Sequence, residues 1–172
     1  MFPYQHRKPY MQRVEMALHE MMAVEIEAVR SELIRLVASP HVSLVEFTNS
    51  AIAYWTKWLG VDRIFVCDMQ NGDIVAGWNT GKNIIRMQDW DPSYVPLNDD
   101  QTLQAALESD ELIQSPVDGV GTDLAFSISL ADGNKWLFVF DQTDTARTFS
   151  PVDMAYVGLV RDLIELKSRI VT

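Results

Sequence analysis

Residues 122–141 read TDLAFSISLADGNKWLFVFD, and this stretch decides the fold. Leu124, Phe126, Ile128 and Leu130 alternate with Ala125, Ser127 and Ser129, the period-2 pattern of a strand with one strongly apolar face. Ala131-Asp132-Gly133-Asn134 then marks a hairpin turn, because Gly accepts positive φ without steric cost. The return strand, Lys135 to Asp141, sets Trp136, Phe138 and Phe140 on one face and Leu137 and Val139 on the other. Just downstream, Phe149-Ser150-Pro151-Val152-Asp153 opens a helix. Ser150 is its cap, Pro151 suits the first turn, and Asp153 brings negative charge to the N-terminus. Along that helix Tyr156, Leu159, Leu163, Leu166 and Ile170 recur at steps of three and four. Val152, Val157, Val160 and Ile164 widen the apolar surface beyond what one sheet contact covers.

Working towards the N-terminus, a second hairpin runs from Arg63 to Asn79 and turns at Gln70-Asn71-Gly72-Asp73. Between the hairpins, Thr80 to Val120 is the least regular part. A short helix is predicted there from about Asp100 to Leu112, capped by Asp99 or Asp100, followed by Ser115-Pro116 and a Gly119/Gly121 loop. Ser43 and Glu46 have capping-box spacing and start a helix that Gly60 stops. Before Pro40, residues Tyr10 to Ala38 contain neither Gly nor Pro and read as one helix, roughly 43 Å long. Its stripe of Met11, Val14, Leu18, Met22, Ile26, Val29, Leu33 and Leu36 must bury against something, either its own domain or a second copy. A homodimer is the expectation, with Leu18, Met22, Ile26 and Val29 of this helix and Leu159, Leu163 and Leu166 of the last one at the interface. The chain thus divides into an arm and dimerisation helix, 1–42, and a domain, 43–172.

The 172 residues suit one domain, and 48% of them are hydrophobic, enough for a sizeable core. A net charge of −10 argues against direct binding of nucleic acid or an anionic membrane. Arg7, Lys8 and Arg13 form only a local basic cluster. Cys67 is the single cysteine, so no internal disulfide and no multi-thiolate zinc site can form within one chain. No apolar run is long enough to span a bilayer, and the start lacks an apolar signal core. A soluble cytoplasmic protein is expected.

The order of helix, hairpin, irregular section with a short helix, hairpin and long helix resembles a GAF domain, a relative of the PAS sensor domains. The resemblance covers about Ser43 to Thr172 and is most specific around Asp132-Gly133 and in Phe149-Ser150-Pro151-Val152-Asp153. It implies an α+β fold, a central antiparallel sheet of about six strands with helices on both faces and a small-molecule site beneath the irregular section, to which the long N-terminal helix read at residues 10–38 is added. It also implies a non-enzymatic sensory or regulatory role, with a signalling protein as partner and no resident cofactor. The sequence departs from the specialised members of the family. Residues 80–120 contain neither Cys nor His, whereas bilin-attaching GAF domains use a Cys there, usually followed by His. One thiol cannot replace the several cysteines of GAF-type methionine sulfoxide reductases. The Asn-Lys-Phe-Asp-Glu set of cyclic-nucleotide GAF domains is not found. A ligand-free protein-contact module stays open, and an autoinducer-like ligand would need a long apolar cavity.

The candidate ligand-binding residues are Cys67, Trp78, Trp90, Asp91, Tyr94, Ser127 and Ser129. Trp78, Trp90 and Tyr94 suit either a cavity or a plain core. Ser127 and Ser129 either offer polar contacts or let a helix approach the sheet. Cys67, beside Asp68, reads as a buried thiol with a raised pKa. Asp89, Asp91, Asp99 and Asp100 match no calcium-loop spacing, and His6, His19 and His41 all precede the sheet-forming region. No metal and no catalytic residue is expected; an enzyme would use carboxylates such as Asp68 and Asp91.

Overall fold

The alternation in residues 122–141 is realised as two adjacent central strands. The computed structural model describes residues 7–79, 100–109, 111–117, 121–142 and 148–170. The elements, in chain order, are α1 (Arg7–Ala38), α2 (Leu44–Trp58), β1 (Arg63–Asp68), β2 (Ile74–Asn79), α3 (Gln101–Glu108), β3 (Ile113–Val117), β4 (Gly121–Ser129), β5 (Lys135–Gln142) and α4 (Pro151–Ile170). The described strands form one five-stranded sheet in the order β2-β1-β5-β4-β3, with every neighbouring pair antiparallel. The sixth strand of the expectation is not among them.

Local chemistry accounts for the element ends. Ser43 accepts from the Glu46 backbone N–H at 3.2 Å, and Glu46 accepts from the Ser43 N–H at 2.8 Å, which closes a capping box on α2. Ser150 and Asp153 make the same reciprocal pair at the start of α4. Gly133 turns the β4–β5 hairpin at φ 86°, where a side chain would be strained. Helix α3 is shorter than predicted. The chain becomes extended at its C-cap Ser109 and goes on to form β3, where a loop was expected. Pro116 is tolerated in β3 because, among the described strands, this one pairs with β4 alone, at the edge of the sheet.

The two faces of the sheet are covered differently. Helices α1, α2 and α4 pack on one face. There Leu33 and Val37 of α1, Phe47, Ala51 and Trp55 of α2, and Val157, Val160 and Ile164 of α4 meet Ile64, Val66, Leu124, Phe126, Phe138 and Phe140. Trp55 sets its edge against three phenylalanines, with centroids 5.0 Å from Phe140 and 6.2 Å from both Phe126 and Phe138. The opposite face carries α3 and a smaller apolar cluster. Among the described residues, no helix is long and apolar enough to cross a membrane.

Candidate functional site

The α3-covered face combines a small apolar floor with a buried charged group. Phe65 and Cys67 of β1, Ala125 of β4, and Leu137 and Val139 of β5 make the floor, on which Leu103 and Ala106 of α3 rest. Each of these strand residues is one step out of phase with the large core on the other side, so the period-2 rule places them here. Helix α3 is held at its C-terminal end by two side chains that reach its carbonyls. Ser127 Oγ donates to Ala106 O at 2.7 Å, and Lys135 Nζ donates to Leu107 O at 2.5 Å. Both bonds satisfy carbonyls of a last helical turn. At its N-terminal end, Asp100 caps the helix by accepting from Thr102 and Leu103 N–H groups at 2.9 and 3.2 Å.

Beyond the apolar floor lie Arg63, Asp123 and Asp141. Register places Arg63 of β1 opposite Asp141 of β5, and Asp141 opposite Asp123 of β4. Arg63 forms an ion pair with Asp141, whose side chain is only 5% exposed. Burial pushes the Asp141 carboxyl up against the downward pull of Arg63. Burial pushes Asp123 up to about 7, and the charges of Asp141 and Asp100 add to the rise. Register sets the two carboxyls directly opposite each other on one face, so both ionising together is disfavoured.

The sequence-selected residues fall on different sides of this arrangement. Cys67 and Ser127 are both buried on the α3 side. Burial pushes the Cys67 thiol up to about 11, and Asp68 and Asp73 add to the effect. Ser127 hydrogen-bonds the C-terminal end of α3. Ser129 ends β4 and is exposed. Trp78 is half-buried and packs against the large core, so the sheet separates it from Cys67. Trp90, Asp91 and Tyr94 lie outside the described residues, as do the side chains of Leu18 and Met22. Val29 and Leu163 pack against the large core, Ile26 and Leu159 are half-buried, and Leu166 is exposed.

Asp68 serves a turn. Burial raises its carboxyl, but hydrogen bonds from Asn134 Nδ2 and the Gln70 N–H, both 2.8 Å, outweigh burial and hold it below the usual carboxylate range. An open groove of about 520 Å³ runs between the two hairpin tips, lined by Met69, Gln70, Asp132, Gly133, Asn134 and Lys135. Among the described residues, no group of three or more His, Cys, Asp or Glu side chains is placed to hold a metal ion.

Sequence reasoning missed Arg63, Asp123 and Asp141. Part of the signal was present. Counting outward from the Asp132-Gly133 turn pairs Asp123 with Asp141, two like charges directly opposite each other, which a sheet disfavours unless something compensates. The compensating Arg63 comes from a strand whose place beside β5 is not written in the local sequence.

This architecture is shared with solved structures. The phycoerythrobilin-bound GAF domain from a cyanobacterial phytochrome aligns over 84% of this chain and 96% of its own, at TM-score 0.62 and 13% identity. The GAF domain of a phosphoenolpyruvate-protein phosphotransferase from Coxiella burnetii aligns over 86% and 94%, at TM-score 0.56 and 15% identity. The corresponding Acinetobacter domain aligns over 87% and 93%, at TM-score 0.56 and 12% identity. The chain has a GAF-like fold. No protein-family model and no curated protein sequence matches it. At these identities the likeness is one of architecture: an antiparallel GAF-like sheet with helices on both faces.

Proposed function

We propose that this chain is a cytoplasmic, non-enzymatic sensory or regulatory domain. It binds a small molecule on the α3-covered face of the sheet and signals through its terminal helices, as a homodimer, to a partner protein. The observation that carries this reading is the asymmetry of the two sheet faces. One face is sealed by three helices over an apolar core. Among the described residues, the other bears the short helix α3 and, at its edge, the buried carboxyl of Asp141 beside the half-buried Arg63 and Asp123. Charge held against a sheet strand is costly to bury and adds little to stability there. The output elements are α1 and α4, which pack on each other, on α2 and on the large core. That packing is where a change in the sheet would be felt.

The test is native mass spectrometry of gently purified protein, with a denatured control. The expected result is a mass excess that vanishes on denaturation, on a species twice the 19.6 kDa chain mass. A dimer without excess mass favours a second reading, a ligand-free interaction module. The apolar side chains on α1 speak for that reading: Met16, Met21 and Val24 are each more than 60% exposed. A bare monomer would count against both. A paired carboxylate with one raised member is also what an acid–base enzyme uses. Here, however, Asp141 is already engaged by Arg63, and the buried Cys67 thiol is not activated.

A further inference from the structure

Among the described residues, helix α1 meets the large core through its C-terminal part. Those contacts begin at Val29 and continue through Leu33, Leu36 and Val37. Ahead of them the helix runs back to Arg7, and Met16, Met21 and Val24 in that stretch are exposed. Apolar packing holds the C-terminal part, but such packing is non-directional. Hydrogen bonds are directional, and one buried side chain of α4 supplies them. Lys167 is completely buried and carries three N–H donors and no acceptor. Its Nζ donates to Ser39 O at 2.6 Å, to Val37 O at 3.2 Å and to Leu36 O at 3.5 Å. These carbonyls lie in the last turn of α1 and just after its final residue, Ala38. Ser39 O also accepts from the Val42 N–H at 3.5 Å, in the turn that leads to α2. One step along an α-helix is 1.5 Å of rise and about 100° of rotation. Sliding or rolling α1 by one residue would therefore carry these acceptors away from Nζ.

We propose that Lys167 is a positioning residue, the pin that sets the register and direction of α1 against α4, and with them the course of residues 7–28. The proposal deepens the reading of α1 and α4 as output elements and rests on it only for its purpose. The pin itself needs neither a ligand nor a second copy of the chain. A tilt of about 10° pivoting at Val37 would move Val24, about 20 Å along the helix, by about 3–4 Å. A small shift at the end of α4 is thereby enlarged along α1.

Pulsed electron paramagnetic resonance between two nitroxides tests this. The labels go on Val24→Cys in α1 and Ala155→Cys in α4, both exposed positions, in a full chain that also carries Cys67→Ala. Dilution with excess unlabelled chain restricts the readout to pairs within one molecule. With Lys167 intact, one narrow distance is expected. Lys167→Met should broaden or shift it by about 3 Å or more. Val37→Ala removes apolar packing from the same turn but keeps the carbonyl, and should leave the distance narrow. Lys167→Gln keeps two donors on a shorter stem; it should broaden the distance less, and it serves if Lys167→Met does not fold. An unchanged distance in Lys167→Met, or in Lys167→Gln if only that variant folds, would overturn the proposal. So would equal broadening by Val37→Ala, or a broad distribution with Lys167 intact. Native mass spectrometry reads ligand and dimer separately, so failure of the pin and failure of the sensory reading are distinguishable.

Discussion

Replacing Lys167 by Met tests the junction between the two terminal helices. Lys167 is completely buried in the last turns of α4, yet its ammonium meets no carboxylate among the described hydrogen bonds and ion pairs. Instead Nζ donates to Ser39 O at 2.6 Å and Val37 O at 3.2 Å, with Leu36 O at 3.5 Å. These carbonyls belong to the C-terminal end of α1 and the residue just beyond it, where helical acceptors lack partners and the helix dipole is negative. Two good hydrogen bonds from a charged donor contribute about 3–6 kcal/mol together. Removing a buried ammonium returns several kcal/mol of desolvation cost. Met keeps most of the aliphatic stem but removes the Nζ donor from Val37 O and leaves Ser39 O only the 3.5 Å bond from the Val42 N–H, and so a net loss on the order of 2 kcal/mol is expected. In a chain of this size that lowers Tm by roughly 5–10 °C. Urea unfolding followed by far-UV circular dichroism, at neutral pH with the slope compared between variants, measures it. Lys167→Met with stability within about 0.5 kcal/mol of wild type, or above it, would refute the reasoning, because desolvation would then cancel the cap.

Stability should also depend on pH through Asp123. Its folded carboxyl lies at about 7 against an ordinary value of 3.8, so between those values the folded chain holds a proton that the unfolded chain has released. Stability should therefore fall as pH rises through that window and level off above about 7. The full shift corresponds to about 4 kcal/mol, which solvent screening of this partly exposed group reduces to about 1–2 kcal/mol. Asp123→Asn should remove most of that slope, and chemical denaturation at pH 5 and pH 8 checks it. Cys67 is buried, with its thiol pushed up to about 11, so an aromatic disulfide reagent at pH 8 should label it only as the chain unfolds. Labelling at the rate of a free thiol in native buffer would show that the floor beneath α3 is open.

The elements legible in the sequence are those set within a few residues. Alternation at 124–130 and 136–140, positive φ at Gly133, and the reciprocal caps at Ser43/Glu46 and Ser150/Asp153 each express a local preference. The hairpin even carries the Asp123–Asp141 pairing, since the turn sets the register. What tertiary structure decided has no local signal. Inserting β5 between β1 and β4 brings Arg63 to Asp141 across 78 positions of sequence. Packing α4 beside α1 delivers Lys167 to carbonyls about 130 positions away. β3, with Pro116 in it, is a strand only because β4 offers an edge to pair with. In the same way the sheet itself parts Trp78 from Cys67, which the linear pattern set in one candidate pocket. Turns and caps are settled by the dihedral angles and hydrogen bonds of neighbouring residues. Strand order and buried charge are settled by which distant surfaces exclude water together, and that balance exists only once the chain has closed on itself.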